Sequence, residues 1–347
     1  MKQIPNNIFS ISIDLTYKCN LRCLHCFNSS GEHNFQNQEL SNEQLFKIVK
    51  DVAELNPTTV CFCGGETLLR KDILIKCAEY LNEYSNGDMS INLVTNGYLM
   101  TEEIAKDLKR AGIKFIQVSL DGSNKNSHEW IRNKEGAFDK AVNAIKILKS
   151  TGFYVGVACT PTKKNINEID EIIDLCKNLG VKEFRMQPLM KLGRAHSIEN
   201  EFLDYIEYRK LARKLSYKNL LPEYKSINLE WGDPVMHIVD GRKGNKKLDY
   251  LCISAYGDLL ISPYLPIKFG NLKKRSLNEY FENGLSDIWK TEFLKLITKK
   301  INSCETLDIN EINNQLPKIF TGQDIGFDLI EDDILLKNNE IIRIFSL

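Results

Sequence analysis

The sequence predicts an α/β fold whose centre is a parallel β-sheet, either open or curled into a partial barrel. From residue 8 to about residue 215, strand-like apolar runs alternate with amphipathic helix patterns, and the alternation repeats six times. Gly112, Gly152 and Gly180 each follow a helical pattern, where glycine commonly ends a helix. A strand followed by a helix and then by another strand is the unit from which parallel sheets are built.

The predicted elements follow one another at short intervals. The six strands are expected at residues 8–15, 58–63, 89–95, 114–120, 153–160 and 182–187. The helices are expected near residues 41–55, 72–84, 102–111, 137–149, 167–179 and 200–217. Ser41 and Thr101 stand at the starts of two of these helices and are residue types that cap N-termini.

The composition is that of a globular chain and argues against several classes of partner. The 347 residues include 46 Lys and Arg and 46 Asp and Glu, so no net charge attracts nucleic acid or anionic lipid. No apolar run reaches transmembrane length and the N-terminus has no signal-like segment, so we expect a cytoplasmic protein. In that reducing compartment the ten cysteines are expected to be thiols or metal ligands.

Three cysteines directly after the first strand carry the strongest chemical signal. Cys19, Cys23 and Cys26 have the spacing C-x-x-x-C-x-x-C. Three thiolates hold three irons of a cubane iron–sulfur cluster, whereas complete ligation by protein takes four. The fourth iron is then open to a small molecule, as in catalytic metal sites. The alternatives are ordinary cysteines, or a structural zinc site with His25 as fourth ligand, which its position between two cysteines would strain.

Short polar segments follow the next three strands, at the sheet edge where barrel enzymes place their chemistry. They are Cys63-Gly64-Gly65-Glu66-Thr67, Thr95-Asn96-Gly97 and Ser119-Leu120-Asp121-Gly122, with Arg132 further downstream. Paired glycines let a backbone approach a ligand closely, and carboxylates accept hydrogen bonds from ammonium groups. In isolation each segment is equally consistent with a simple turn.

In their chain order, the cysteines and these segments resemble the radical S-adenosylmethionine (SAM) enzymes, in particular their peptide-modifying branch with SPASM or twitch extensions. The resemblance implies a (β/α)6 partial TIM barrel and a [4Fe-4S] cluster on Cys19, Cys23 and Cys26, with the open iron chelated by SAM. It implies SAM contacts from His25, Gly64, Gly65, Glu66, Thr95, Asn96, Ser119, Asp121 and Arg132. It also implies a reductant such as flavodoxin or ferredoxin.

The same resemblance gives most of these residues a role. His25 would pack near the adenine, while Gly64, Gly65 and Glu66 would hold the SAM amino group. Ser119 with Asp121 would bind the ribose or carboxylate oxygens of SAM, and Arg132 would pair with its carboxylate. A surface salt bridge is the alternative for Arg132.

The C-terminal third resembles the start of a SPASM or twitch extension that has lost its auxiliary cluster. A strand at 226–231, a hairpin at 250–262 turned at Gly257-Asp258, and a helix at 277–298 are expected. The cysteine expected within residues 262–265 is missing, and Cys304 stands alone, so too few ligands remain for a second cluster. We therefore expect a barrel at 1–217, a small α+β extension at 218–305 and a β-rich tail at 306–347.

The resemblance points to modification of a ribosomally made peptide, and without an auxiliary electron acceptor a redox-neutral change such as epimerisation is favoured. A thiol would then return a hydrogen atom to the substrate. The candidate donors are Cys159, Cys252 and Cys304, together with Cys61 and Cys63. The alternatives are a sugar or amino acid substrate, oxidative peptide crosslinking, and a non-catalytic iron–sulfur carrier.

Overall fold

The computed structural model describes residues 8–32, 39–243, 247–265, 267–299, 301–304 and 325–332. Within these ranges the strands are β1 (Ser10–Asp14), β2 (Thr59–Cys63), β3 (Ser90–Thr95), β4 (Phe115–Ser119), β5 (Tyr154–Cys159), β6 (Glu183–Met186), β7 (Asn228–Trp231), β8 (Tyr250–Ile253), β9 (Asp258–Leu260), β10 (Ile267–Asn271) and β11 (Ile325–Gly326). The α-helices are α1 (Asn42–Leu55), α2 (Lys71–Tyr84), α3 (Glu102–Arg110), α4 (Lys125–Arg132), α5 (Ala137–Ser150), α6 (Ile169–Asn178), α7 (Tyr205–Lys218), α8 (Met236–Arg242), α9 (Leu277–Glu282) and α10 (Glu292–Ile297).

All of these strands belong to one sheet, in the order β11-β10-β9-β8-β1-β2-β3-β4-β5-β6-β7. Every neighbouring pair from β8 to β7 is parallel. β9 runs antiparallel to β8 and β10, and β11 is parallel to β10. The α/β class and the six predicted strands are confirmed, because each observed strand lies inside its predicted range.

The predicted helices are also present. α7 begins at Tyr205, later than expected, because Asp204 caps it with a hydrogen bond to the Glu207 N–H. The helix expected at 277–298 is instead broken into α9, a 3-10 turn and α10. Gly284, with a φ of +96°, ends the first part, and Thr291 starts the last by capping it.

The sheet has one apolar and one polar face, as period-two alternation requires. Ile11 and Ile13 of β1, and Val60 and Phe62 of β2, are fully buried in the hydrophobic core. The residues between them are polar, Ser12 among them, and point to the opposite face. The apolar face is the one that packs against helices such as α1 and α2, so the polar face is left for a ligand.

A single cavity of about 1000 Å³ shows that the sheet is curved. Residues of β1 to β6 and of β8 all line it. Seven strands of one sheet can face one cavity only if the sheet bends around it. This arrangement is compatible with the predicted partial TIM barrel, and it places the polar face inside.

The C-terminal part of the described chain continues the sheet on both sides. β7 extends it beyond β6, and β8 lies beside β1 with Ser12 in register with Cys252. The predicted hairpin turn is confirmed: Gly257, with a φ of +87°, lies between β8 and β9. Of the predicted tail, only residues 325–332 are described; its other expected strands lie outside the described residues. None of the helices in the described ranges has the length and apolar character needed to span a bilayer.

Candidate functional site

The three motif cysteines lie on the loop after β1, here called the cysteine loop (residues 15–32), and line a second cavity of about 310 Å³. Arg22 stabilises this loop from inside. Its guanidinium donates hydrogen bonds to the carbonyls of Cys19 and Gly31, both at 2.8 Å. The two ends of the loop are thereby held together while its thiols remain at the cavity.

Gly193 and Arg194, which follow β6, bind the same loop from outside and are here called the clamp. Arg194 donates from Nε to the Cys23 carbonyl at 2.8 Å and from its backbone N–H to the Cys26 carbonyl at 3.0 Å. A Cβ at Gly193 would lie 2.5 Å from that Cys26 carbonyl oxygen, so only glycine allows the approach. This clamp was not predicted, because the contact joins residues about 170 positions apart in the chain.

The three motif thiols lie at one cavity, as the protein ligands of a cubane cluster must. Burial raises the pKa of Cys19 to about 11 and also raises the pKa of Cys23, so both are protonated until iron replaces the proton. A cubane takes each thiolate at a different corner. The set of three thiols around one cavity suits that geometry.

His25 lines the cavity between the cysteines. Burial lowers its pKa to about 4, so the ring is neutral at pH 7. Its Nδ1 atom is buried without a hydrogen-bond partner in the described structure. A neutral flat ring with an open acceptor suits the predicted contact with adenine, which remains a prediction.

Gly64 and Gly65 line the same cavity and bring β2 against the cysteine loop. A Cβ at Gly64 would lie 2.4 Å from the Thr16 carbonyl oxygen, and one at Gly65 would lie 2.1 Å from that of Lys18. The Gly65 N–H donates to the Thr16 carbonyl at 2.6 Å. These glycines therefore have a packing role as well as the predicted cofactor role.

Glu66 is fully buried and does not itself line the cavity. Its carboxylate accepts hydrogen bonds from the Thr95 hydroxyl at 2.7 Å, the Asn96 N–H at 2.9 Å and the Leu68 N–H at 3.1 Å. Thr95 and Asn96 do line the cavity, and the Asn96 amide donates to Asn20 of the cysteine loop at 2.9 Å. Glu66 thus positions two predicted SAM contacts.

Asp121 and Arg132, predicted as two cofactor contacts, bind each other. Asp121 Oδ2 accepts from Arg132 Nε at 2.6 Å, and Oδ1 accepts from the Thr160 N–H at 2.9 Å. Arg132 lines the cavity and its Nη1 lies 3.7 Å from Cys23 Sγ. Burial alone would raise the pKa of Asp121, but the Arg132 guanidinium outweighs burial and holds it below its usual range. Ser119 lines the same cavity, and its contact with SAM remains a prediction.

The three cysteines predicted as hydrogen donors differ in whether they line a cavity. Cys252 on β8 lines the smaller cavity. Cys159 is on the apolar face of β5, 1% exposed, and lines neither this cavity nor the larger one. Cys304 is also buried and lines neither; its backbone hydrogen-bonds to Asp233.

Asp14 is a cavity residue that the sequence reasoning missed. It lines the smaller cavity at the end of β1, in register with Cys63. Burial raises its pKa to about 7, although Tyr17 donates a hydrogen bond to it. The available signal was its alternation with Ser10 and Ser12, which placed it on the polar face of β1.

The two cavities adjoin, and their linings overlap. Six residues belong to both linings: Ser12, Cys63, Val94, Gln187, Tyr250 and Tyr264. The cysteine loop lines the smaller cavity, and strand residues such as Asn92 and Gln117 line the larger one. A molecule in the larger cavity can therefore reach one bound beside the cysteine loop.

Comparison with known proteins agrees with this geometry. The family described as the radical SAM superfamily matches residues 13–187. The chain is 28% identical to the Fe-coproporphyrin III synthase of Methanosarcina barkeri, over 89% of this chain and 85% of that protein. It is 31% identical to the sporulation killing factor maturation protein SkfB of Bacillus subtilis, over 54% of this chain and 44% of SkfB.

A solved structure shares the fold over most of the chain. Streptococcus suis SuiB bound to the precursor peptide SuiA superimposes with a TM-score of 0.63, covering 92% of this chain and 76% of SuiB. The sequence identity is only 15%, so this likeness concerns architecture alone.

Proposed function

The chain belongs to the radical SAM superfamily, and from that premise we propose that it modifies a ribosomally made peptide, by a change with no net oxidation such as epimerisation. It is an enzyme that uses a [4Fe-4S] cluster and SAM. When bound, these groups supply a 5′-deoxyadenosyl radical that removes a hydrogen atom from the substrate. We assign the cluster to Cys19, Cys23 and Cys26, because these thiols surround the smaller cavity.

The chain's own residues would hold SAM on two sides of that cavity. Gly64 and Gly65 expose backbone at one side, and the Thr95–Asn96 turn held by Glu66 lies next to them. Arg132 pairs with Asp121 through Nε and Nη2, which leaves its Nη1 group to donate to the SAM carboxylate. His25 closes the side of the cavity at the cysteine loop and offers a flat ring to the adenine.

The polar wall of the larger cavity is the observation that carries the peptide assignment. A volume of about 1000 Å³ accommodates several residues, and Asn92, Gln117 and Gln187 offer amide groups that can pair with a peptide backbone. An apolar substrate would leave these groups without hydrogen bonds, at a cost of about 1–3 kcal/mol each. The name of SkfB, a sporulation killing factor maturation protein, supports the same substrate class.

A tetrapyrrole is the second candidate substrate, and His237 in the larger cavity favours it. A relative aligned over 89% of this chain is named Fe-coproporphyrin III synthase. His237 lines the larger cavity beside the Tyr250 and Tyr264 rings, and its buried Nε2 has no hydrogen-bond partner in the described structure. Burial lowers the pKa of His237 to about 4, so the ring is neutral and able to ligate iron.

One assay distinguishes these candidates from each other and from a non-catalytic iron–sulfur carrier. Reconstituted protein is reduced, mixed with SAM and assayed for 5′-deoxyadenosine. Synthetic peptides translated from the reading frames beside its gene form one arm, and iron coproporphyrin III forms the other. We expect a peptide to raise 5′-deoxyadenosine and to return with unchanged mass and inverted stereochemistry. Stimulation by the porphyrin alone would favour the second candidate, and no cleavage of SAM would favour the carrier.

We expect Glu66→Gln to weaken SAM binding by roughly 10- to 100-fold, the range that corresponds to a charged hydrogen bond of about 1.5–3 kcal/mol. Three hydrogen-bond donors face the Glu66 carboxylate, and in the variant the side-chain NH₂ group must face one of them. Because two donors cannot bind each other, the turn at Thr95 and Asn96 loses its fixed position. Equilibrium dialysis with SAM measures the affinity. Glu43→Gln, on the exposed first turn of α1, is the control. Unchanged affinity at full iron content would remove Glu66 from the site.

A further inference from the structure

The place where hydrogen transfer must occur is the boundary between the two cavities. With the cluster and SAM held by the cysteine loop, the proposed reaction would form its radical at the smaller cavity, and the substrate would occupy the larger one. Both partners meet only where the linings overlap. Of the residues common to both linings, Cys63 is the one that carries a thiol, whose S–H bond is readily broken by a carbon radical.

A second thiol lies directly beside Cys63. The sulfur atoms of Cys61 and Cys63 are 3.4 Å apart, and Cys61 lines the larger cavity. Both are on the inner face of β2, which is paired in parallel with β1 and β3, so their backbone is fixed on both sides. The hydrogen bond with Cys61, together with burial, raises the pKa of Cys63 well above its usual value. Cys63 is therefore held as the thiol, the form that has a hydrogen atom to give.

We propose that Cys61 and Cys63 form a redox-active dithiol that quenches the substrate radical. This inference rests on the proposed function and deepens it. Cys63 gives its sulfur-bound hydrogen atom to the substrate carbon and becomes a thiyl radical. Cys61 loses its proton to the Asp14 carboxylate, in register with Cys63, and the two sulfurs join. The surplus electron leaves to the oxidised form of the flavodoxin- or ferredoxin-type carrier. A dithiol reductant then restores both thiols.

Strand geometry makes such a disulfide easy to reduce again. Residues two apart on a strand have Cα atoms about 6.6 Å apart, from a rise of about 3.3 Å per residue. Disulfides span Cα separations of about 4.4–6.8 Å, so this one would form at the long end of the range, under strain. Strained disulfides are more oxidising and are the ones that cycle during function. A pair that must reopen after each turnover needs that property.

The other cysteines are placed less well for this task. Cys252 lines only the smaller cavity and is separated from Cys61 by the intervening strand β1, where Ser12 is in register with both. Cys159 and Cys304 line neither cavity. Cys176 is fully buried in α6 and serves as a matched control.

The first experiment tests the pair without turnover. Reconstituted protein is treated briefly with diamide, remaining thiols are alkylated, and the tryptic peptide 51–70 is analysed by mass spectrometry. That peptide contains Cys61 and Cys63 and no other cysteine. We expect it to become two hydrogens lighter and to resist alkylation, while the peptide containing Cys176 does not change its redox state. Two thiols that stay separate and alkylatable would overturn the proposal.

The second experiment follows turnover in deuterium oxide with the peptide that stimulates SAM cleavage. We expect one deuterium on the altered carbon and one 61–63 disulfide per product when no dithiol reductant is added. Cys63→Ser should lose the deuterated product, and Cys61→Ser should give at most one product per chain even with a dithiol reductant present. Deuterated product from Cys63→Ser would assign donation elsewhere and overturn the pair. If no peptide is converted, the proposed function fails, and the diamide result still decides the dithiol.

Discussion

Changing Cys19, Cys23 and Cys26 together to alanine is expected to abolish iron binding and all cleavage of SAM. These are the cysteines of the loop that lines the smaller cavity, and a cubane keeps no protein ligand without them. Iron and sulfide analysis after anaerobic reconstitution should fall from about four irons per chain to background. The visible absorption of the cluster should disappear with it.

The control for this variant replaces Cys77 and Cys176 with alanine. Both thiols are fully buried in helices, on the side of the sheet away from the cavities. We expect this protein to keep its iron and its SAM cleavage. Four irons retained by the triple variant would instead point to ligands such as Cys252 and Cys304, and the assignment of the cluster would be wrong.

Asp121→Asn is expected to cause the largest loss of stability, about 3–5 kcal/mol, because it leaves the Arg132 guanidinium buried without its counter-charge. The Arg132 side chain is 10% exposed and Asp121 is fully buried. Urea unfolding of the reconstituted protein measures the change. The matched control is Asp139→Asn, which breaks the exposed 2.6 Å pair with Lys125. That variant should unfold almost as the parent does, since exposed pairs contribute little.

The pH dependence of this effect has a definite sign. Arg132 holds the pKa of Asp121 below its usual range despite burial. The stability that comes from Asp121 is therefore present above the unfolded value, about 3.9, and is lost as the pH falls through the lower folded value. Asp121→Asn should flatten the acid limb of the stability profile. An unchanged acid limb would mean that the pair is not what stabilises the site.

The order of the sheet could be predicted for β1 to β6 and not for β8. Each of the first six strands is an apolar run followed by its own helix, and short connections make sequential strands neighbours. β8 pairs with β1 across more than 230 residues of sequence. Four residues of alternating character do not specify a partner at that distance, so the sequence analysis predicted an extension at 218–305 without assigning its strands to the sheet. The predicted domain boundaries at 217 and 305 remain predictions.

At the site, the sequence singles out local motifs but not the contacts between them. The cysteines, His25 and the paired glycines line one cavity, and their roles toward the cluster and SAM remain predictions. Asp121 and Arg132 looked like independent ligand contacts because a sequence does not show that a carboxylate and a guanidinium face each other.

Strand parity would have corrected one assignment. Cys159 has the same parity as Val155 and Val157 and so belongs to the apolar face of β5. Cys61 and Cys63 share the parity of Thr59, on the polar face of β2. The distinction needed only period two and was available from the residues.

The pairing of β8 with β1 also determines when the sheet can be completed during synthesis. β1 leaves the ribosome well before its second neighbour, residues 250–253, which follows more than 230 residues later. At about 5–20 residues per second, the outer edge of β1 stays open for roughly 10–50 s. Ser10 and Ser12 alternate with Ile11 and Ile13 there, so the nascent chain exposes a strand able to pair with another chain. During translation, the sheet around β1 is therefore completed only after residue 253 has been made, and a binding chaperone would be of use until then.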